Sequence, residues 1–311
     1  MGKRKAPEAA GKSLGRRILQ HYDLYLFLLP ALVWYLLFTY GPLYGVQIAF
    51  KNFNGAKGIW GSPWVGLKHF RNFLTAYSVR MLLRNTLTLS VYSLVAGFPF
   101  PILLALMLNE MRCLRYKKIV QTVTYAPHFI STVVMVGIIK LFFSPSMGLV
   151  NALRGLLGAG RMDFLTNPAL FSHLYVWSGV WQGMGWGAII YLAALAAVDP
   201  ELHEAATIDG ASRIQRIRYI NIPTIVPTII ILLIMRMGSL VSVGYEKVYL
   251  LQNDLNVEVS EVISTYVYKR GLLQNNYSFS TAVGLFNNVV NVALLLITNF
   301  ITRRVSDTSL F

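Results

Sequence analysis

The chain has 311 residues, of which 55% are hydrophobic and only 13% charged, where soluble domains carry roughly a quarter charged. With a mean hydropathy of +0.52, this excludes a disordered chain and a set of soluble domains, and predicts a polytopic membrane protein. The net charge of +15 could suit nucleic acid, but in so apolar a chain it marks loops facing the cytoplasm and anionic lipid, so no nucleic-acid partner is expected.

The first 23 residues form a basic N-terminus (Lys3, Arg4, Lys5, Arg16, Arg17) ahead of an apolar run. That run is too long for a signal peptide and lacks a small-residue cleavage site, so an uncleaved first span is predicted. Gly11-Lys12-Ser13 imitates the end of a phosphate-binding loop, but its first glycine position is Ala6 and no strand precedes it, so no nucleotide site is expected.

A helix needs roughly 20 apolar residues to cross the bilayer. Six such runs follow, at residues 24–50, 86–108, 119–143, 171–198, 222–245 and 281–302. They make an all-α transmembrane domain of residues 24–302 with a short tail, 303–311. An even number of spans puts both termini on one side. Placed in the cytoplasm, the predicted inner segments hold 15 Lys and Arg and the longer outer segments hold 11, which supports that orientation. Segment 51–85, with Trp60, Trp64, Phe70 and Phe73 among basic residues, reads as amphipathic and lying at the outer interface. Segment 144–170 is glycine-rich and reads as a short surface helix with flexible ends.

Cys113 is the single cysteine and the five His are scattered, so neither a disulfide nor a metal site is predicted. No catalytic constellation is present. The densest carboxylate cluster, Asp199, Glu201, Glu204 and Asp209, lies in the loop 199–223. There Asp199 can cap a helix opened by Pro200, with acidic residues in its first turn. Gly210 fits the helix stop. A second short helix is predicted at Ser212–Tyr219, and Pro223 opens the next span. Ala205 and Ala206 leave a smooth surface for close packing against a partner.

This loop carries the pattern E-A-A-x3-G-x9-I-x-L-P. Glu204, Ala205, Ala206, Gly210, Ile220 and Pro223 match it in spacing, Ile222 replaces Leu, and Asp209 with Ala211 completes a D-G-A form. It resembles the EAA motif of permease subunits of bacterial ABC importers. Further stretches are similar to the carbohydrate uptake group: Tyr40-Gly-Pro, Trp64-Val-Gly-Leu-Lys-His-Phe70, Tyr125-Ala-Pro-His-Phe-Ile130 and Trp181-Gln-Gly-Met-Gly-Trp186. The C-terminal stretches Gly244-Tyr-Glu-Lys-Val-Tyr-Leu-Leu251 and Arg303-Arg-Val-Ser-Asp-Thr-Ser-Leu-Phe311 resemble LplB-type polysaccharide permeases.

The resemblance implies the type I importer permease fold in the bacterial plasma membrane. It implies transport of oligosaccharides from an extracytoplasmic sugar-binding protein into the cytoplasm. The implied partners are a second homologous permease and two ATPase subunits; ATP and Mg would reside on those ATPases, and this chain would bind no cofactor. It makes Glu204–Gly210 a coupling helix seated on the ATPase, with Glu204 pairing with a basic residue there and Gly210 needed for close approach.

For the translocation path the residues leave alternatives open. Arg236 in the fifth span must face the bundle, since a charge at the bilayer centre costs about 2.5–3.5 kcal/mol; it either bonds a neighbouring helix or serves the path. Asn287 and Asn291 share a helix stripe and either glue helices or face the path. Trp181, Gln182 and Trp186 either pack or meet sugar. Two other function classes make different demands. A secondary transporter would carry mid-membrane carboxylates and an inverted repeat, and a membrane-embedded lipid-modifying enzyme would need a clustered polar site at the interface; neither pattern is found.

Overall fold

The computed structural model describes residues 21–305, which are helical apart from loops and a single antiparallel bridge between Lys51 and Trp64. The basic N-terminal residues, Gly11-Lys12-Ser13 and the last residues of the tail lie outside the described region. Four helices are long and apolar enough to cross a membrane: Tyr22–Phe50, Val79–Asn109, Arg213–Met237 and Tyr277–Arg304. Two bent pairs, Leu114–Phe129 with Thr132–Phe142 (102°) and Pro168–Leu195 with Pro200–Ile208 (78°), bring the number to as many as six if each pair is counted as one span. The six are numbered below in chain order.

Three boundaries depart from the sequence reading. The third span is broken by a 102° bend. Pro127 shortens the helix into a 3-10 turn, Ile130 is extended, and Ser131 starts a new helix by accepting from the Val134 amide at 3.3 Å. Proline removes a donor and tightens the turn before it. The carbonyl freed at Ile130 accepts instead from Gln182 Nε2 of the fourth span at 2.7 Å.

The second span begins at Val79, not at residue 86. Arg80 and Arg84 fall in its first turns, where the apolar count fails but helical backbone continues.

The fifth span lies earlier than residues 222–245. The helix predicted as separate at Ser212–Tyr219 runs into it through a π-turn, Ile217–Asn221, and the helix stops at Gly238. Ser212 opens it with a capping box: its N–H donates to Gln215 Oε1 at 2.7 Å and its hydroxyl accepts from the Gln215 amide. The π-turn widens the helix just before Pro223, whose ring would clash in a regular one. Beyond Gly238 the apolar stretch 239–244 is a loop. Asn291 of the sixth span holds it, accepting from the Val241 amide at 3.0 Å and donating to Ser242 Oγ at 2.8 Å. Gly238 makes this crossing close: a Cβ would lie 2.5 Å from Leu295 Cδ1, so the leucine would have to turn aside.

The connections 51–78, 143–167 and 238–276 gather at one end of the bundle, where most of the core lies. Leu89, Met135, Ile139, Phe171, Val248 and Val262 form its largest buried cluster. Segment 51–78 is folded onto the sixth span: Phe73 is buried against Phe279 and Phe286, and the Phe53 amide donates to Ser278 Oγ. Burial there holds the His69 imidazole below its ordinary value, against the pull of the Lys51 carbonyl 3.2 Å away. In segment 238–276, Glu261 is buried and bonded by Lys269, Thr265 and Gln252. The opposite end carries the short connection 110–113 and the loop 196–212.

The first span stands apart. Residues 21–44 are all exposed, and only its last turn, with Ala49 buried, packs on the sixth span. Its hydrophobicity is spread around the whole helix, so it has no polar face to turn to water.

Candidate functional site

Two regions gather the residues singled out by sequence. The first is the loop helix Pro200–Ile208. Its start is fixed by Asp199, whose carboxylate accepts from the Glu201 amide at 3.0 Å. Its end is a Schellman turn: Gly210 N–H donates to Thr207 O at 3.1 Å and Ala211 N–H to Ala206 O at 2.8 Å. Gly210 sits at φ +78° and a Cβ there would meet nothing within 4 Å. Its glycine is therefore needed by the backbone of this chain. Glu204, Ala205 and Asp209 are exposed and Ala206 is half-buried. Beside them Ile208 is 87% exposed and Ile214 77% exposed. Pro223 does not join this group, being carried on the fifth span.

The second region is a cavity of about 520 Å³ among the second, fourth and fifth spans. Its polar lining includes Ser90, Tyr175, Tyr191, Arg236, Ser242 and Lys247, and no carboxylate lines it. Arg236 lies in the last turn of the fifth span and makes no ion pair among the described residues. Lys247 reaches in from the helix Tyr245–Leu251, in the connection after that span. Its ammonium donates to Tyr175 O at 2.9 Å and lies 4.9 Å from the Tyr175 ring centroid. Burial lowers the Lys247 pKa to about 8, which leaves it mostly protonated at neutral pH. The Ser90 hydroxyl is buried there without a hydrogen-bond partner.

Of the six path residues named from sequence, only Arg236 lines this cavity. Gln182 and Trp186 are spent on the broken third span: Gln182 bonds Ile130 O, and Trp186 stacks on His128 with centroids 4.5 Å apart and planes 4° from parallel. Trp181 is on the surface. Asn291 holds the loop after the fifth span, and Asn287 is half-buried with a buried, unbonded Oδ1. Sequence reasoning passed over Lys247 because it scores as a loop residue. The signal was present in Gly244-Tyr-Glu-Lys247, a stretch noted for resemblance rather than for its charge.

A family profile described as the binding-protein-dependent transport system inner membrane component matches residues 73–307. The chain belongs to this family. It is thus an integral membrane component of a transporter, with the helical permease fold of type I ABC importers. The permease is 43% identical over 312 residues to Protein LplB of Bacillus subtilis, covering 99% of this chain and 98% of that one. It is also 43% identical over 300 residues to the polygalacturonan/rhamnogalacturonan transport system permease protein YteP of the same organism, covering 96% and 94%. A crystal structure of a bacterial ABC transporter involved in the import of the acidic polysaccharide alginate contains a chain 42% identical. It superposes with a TM-score of 0.87 over 95% of this chain and 100% of that one.

Proposed function

We propose that this permease admits acidic oligosaccharides, handed over by a binding protein, through the cavity at Arg236 and Lys247. The observation that carries this reading is a cavity with two cations, several hydroxyls and no carboxylate. Its volume falls within the range of about 300–1,000 Å³ usual for small-ligand sites. Guanidinium and ammonium groups pair with carboxylates, and Arg does so through two parallel bonds. The YteP and alginate relatives are described as handling polygalacturonan and alginate, which supports an anionic cargo. Neither alternative class, secondary transporter or lipid-modifying enzyme, gains support from any of the relatives.

On this reading the end with the long connections is extracytoplasmic and receives the binding protein. The loop 199–212, the connection 110–113 and both termini are cytoplasmic. The helix Pro200–Ile208 then acts as the coupling helix, offering Glu204, Ala205, Ala206, Asp209 and the bare Ile208 to an ATPase subunit, which performs the hydrolysis with ATP and Mg. The uncovered first span is the natural seat of a second permease, since a helix apolar all round that touches its own bundle only at one end is covered by lipid or by another subunit. Two ATPases complete the assembly.

The test is uptake into vesicles holding the full assembly, with a uronate oligosaccharide and a neutral one of equal length. The wild type should prefer the uronate. Arg236→Gln with Lys247→Gln should abolish the preference. Equal uptake of both sugars by the wild type would refute the acidic cargo.

A further inference from the structure

The loop helix is tied to the rest of the bundle by a small polar cluster at the end away from the cavity. Arg216, in the first turn of the fifth span, donates through Nη1 to Thr207 Oγ1 on the loop helix at 2.5 Å. Its other terminal nitrogen lies 4.0 Å from Glu110 Oε2, at the end of the second span. Glu110 Oε1 accepts from Asn221 Nδ2 at 3.2 Å, in the π-turn. The Arg216 and Glu110 side chains are only 15% and 19% exposed, and Asn221 is fully buried. The cluster is not saturated: Arg216 Nε and Asn221 Oδ1 are buried without partners.

Neither Glu110 nor Arg216 belongs to the residues expected to face the ATPase or the cargo. A half-buried ion pair contributes little net stability, because desolvation offsets much of its attraction, and it is better attested as a device that fixes register. Here it fixes the loop helix against two spans at once. Arg216 is the joint: one side holds Thr207, the other holds Glu110. The loop helix is thus linked through Arg216 to Glu110 of the second span, and through Glu110 and Asn221 to the π-turn. The unsatisfied Arg216 Nε and Asn221 Oδ1 leave bonds to be made in a second arrangement, which a two-state element requires.

We propose that Glu110 and Arg216 are positioning residues that transmit displacement of the loop helix to the second and fifth spans, so that ATP hydrolysis is converted into opening of the cavity. This rests on the reading of helix Pro200–Ile208 as the coupling helix.

The experiment uses the complete assembly in vesicles and reads three quantities: ATPase retained on purification, ATP hydrolysed, and sugar transported per ATP. E110Q should retain its ATPase and hydrolyse ATP, but lose about tenfold in sugar transported per ATP, a typical size for coupling between sites. The exchange E110R/R216E should restore most of the ratio. T207V, which removes only a surface hydroxyl and should fold normally, should give an intermediate loss. An unchanged ratio in both E110Q and T207V overturns the proposal. So does a lowered ratio that the exchange fails to restore, or loss of the ATPase from E110Q, since the pair would then serve docking. If the wild type itself retains no ATPase, or hydrolyses no more ATP with the sugar-loaded binding protein, the coupling-helix reading fails instead, and the two failures are distinguishable.

Discussion

Gly210 separates two explanations of the EAA glycine. The sequence motif suggests that it is small so that a partner can approach. The structure gives it a backbone duty, at φ +78° in a Schellman turn whose bonds from Gly210 and Ala211 close the loop helix. A residue with a Cβ pays for that conformation with roughly 1–2 kcal/mol, while Asn adopts it more readily because its side chain bonds locally. A β-branched residue is worse than either. Nothing within this chain crowds the position, so strain alone sets the order. A cost of 1–2 kcal/mol lowers the population of the closed turn by about 5–30-fold where the turn is marginal. Sugar transported per ATP in vesicles should therefore fall in the order Gly, Asn, Ala, Val. Partner crowding predicts a different order, Gly, Ala, Asn, Val, since Ala adds one heavy atom and Asn four. Transport by Gly210→Ala equal to or above that of Gly210→Asn would refute the backbone argument.

Because burial brings Lys247 to about 8, its positive charge is lost as pH rises through that value; uronate uptake should decline between about pH 7 and 9, and Lys247→Arg should flatten the profile, whereas an identical decline in the Arg variant would clear Lys247 of the role. At the crossing of the third and fourth spans a Cβ on Gly185 would lie 2.0 Å from Thr124 O, so Gly185→Ala should destabilise the detergent-solubilised protein by about 1–3 kcal/mol, visible as a lowered Tm; an unchanged Tm would mean that the helices are not so close. Lys269→Met strands the buried Glu261, and with Lys269 29% exposed the cost should fall near the low end of the range for a broken buried pair, about 3 kcal/mol; adding Glu261→Gln should recover much of it, and a double variant no better than the single would show that the pair is not the source.

Apolar run length located four spans outright and two more that are bent pairs of helices, because bilayer thickness sets that length whatever the packing. It failed where backbone chemistry overrides composition. The run 119–143 reads as one span, yet Pro127 breaks it, and the Ser131 cap together with the Gln182 side chain, 52 residues on from Ile130, satisfies the break. The run 222–245 reads as one span, yet the helix stops at Gly238, beyond which Asn291 captures the backbone of Val241. The loop helix was legible in detail, since Asp199, Pro200 and Gly210 act locally through caps. The cavity was not, because a lining residue is defined by contacts across the fold. Gln182 and Trp186 have chemistry suited to sugar and are consumed in packing, while Lys247 has it and faces the space.

The fifth span joins these observations physically. Arg216 stands in its first turn and Arg236 in its last, 20 residues and roughly 30 Å apart along a helix. One arginine is held to the loop helix and to Glu110; the other has no ion pair and faces the cavity. A straight helix would carry a push at one end to the other as a rigid translation. This one contains the π-turn Ile217–Asn221 and Pro227, both places where helices bend, and Gly238 lets it pass close against Leu295 at the far end. On the reading proposed above, bending of the span at those places would change where Arg236 stands in the cavity. A charge that pairs with an anionic sugar in one state would be withdrawn in the other. Affinity that differs between two states is what a transporter needs to take up its cargo on one side and release it on the other.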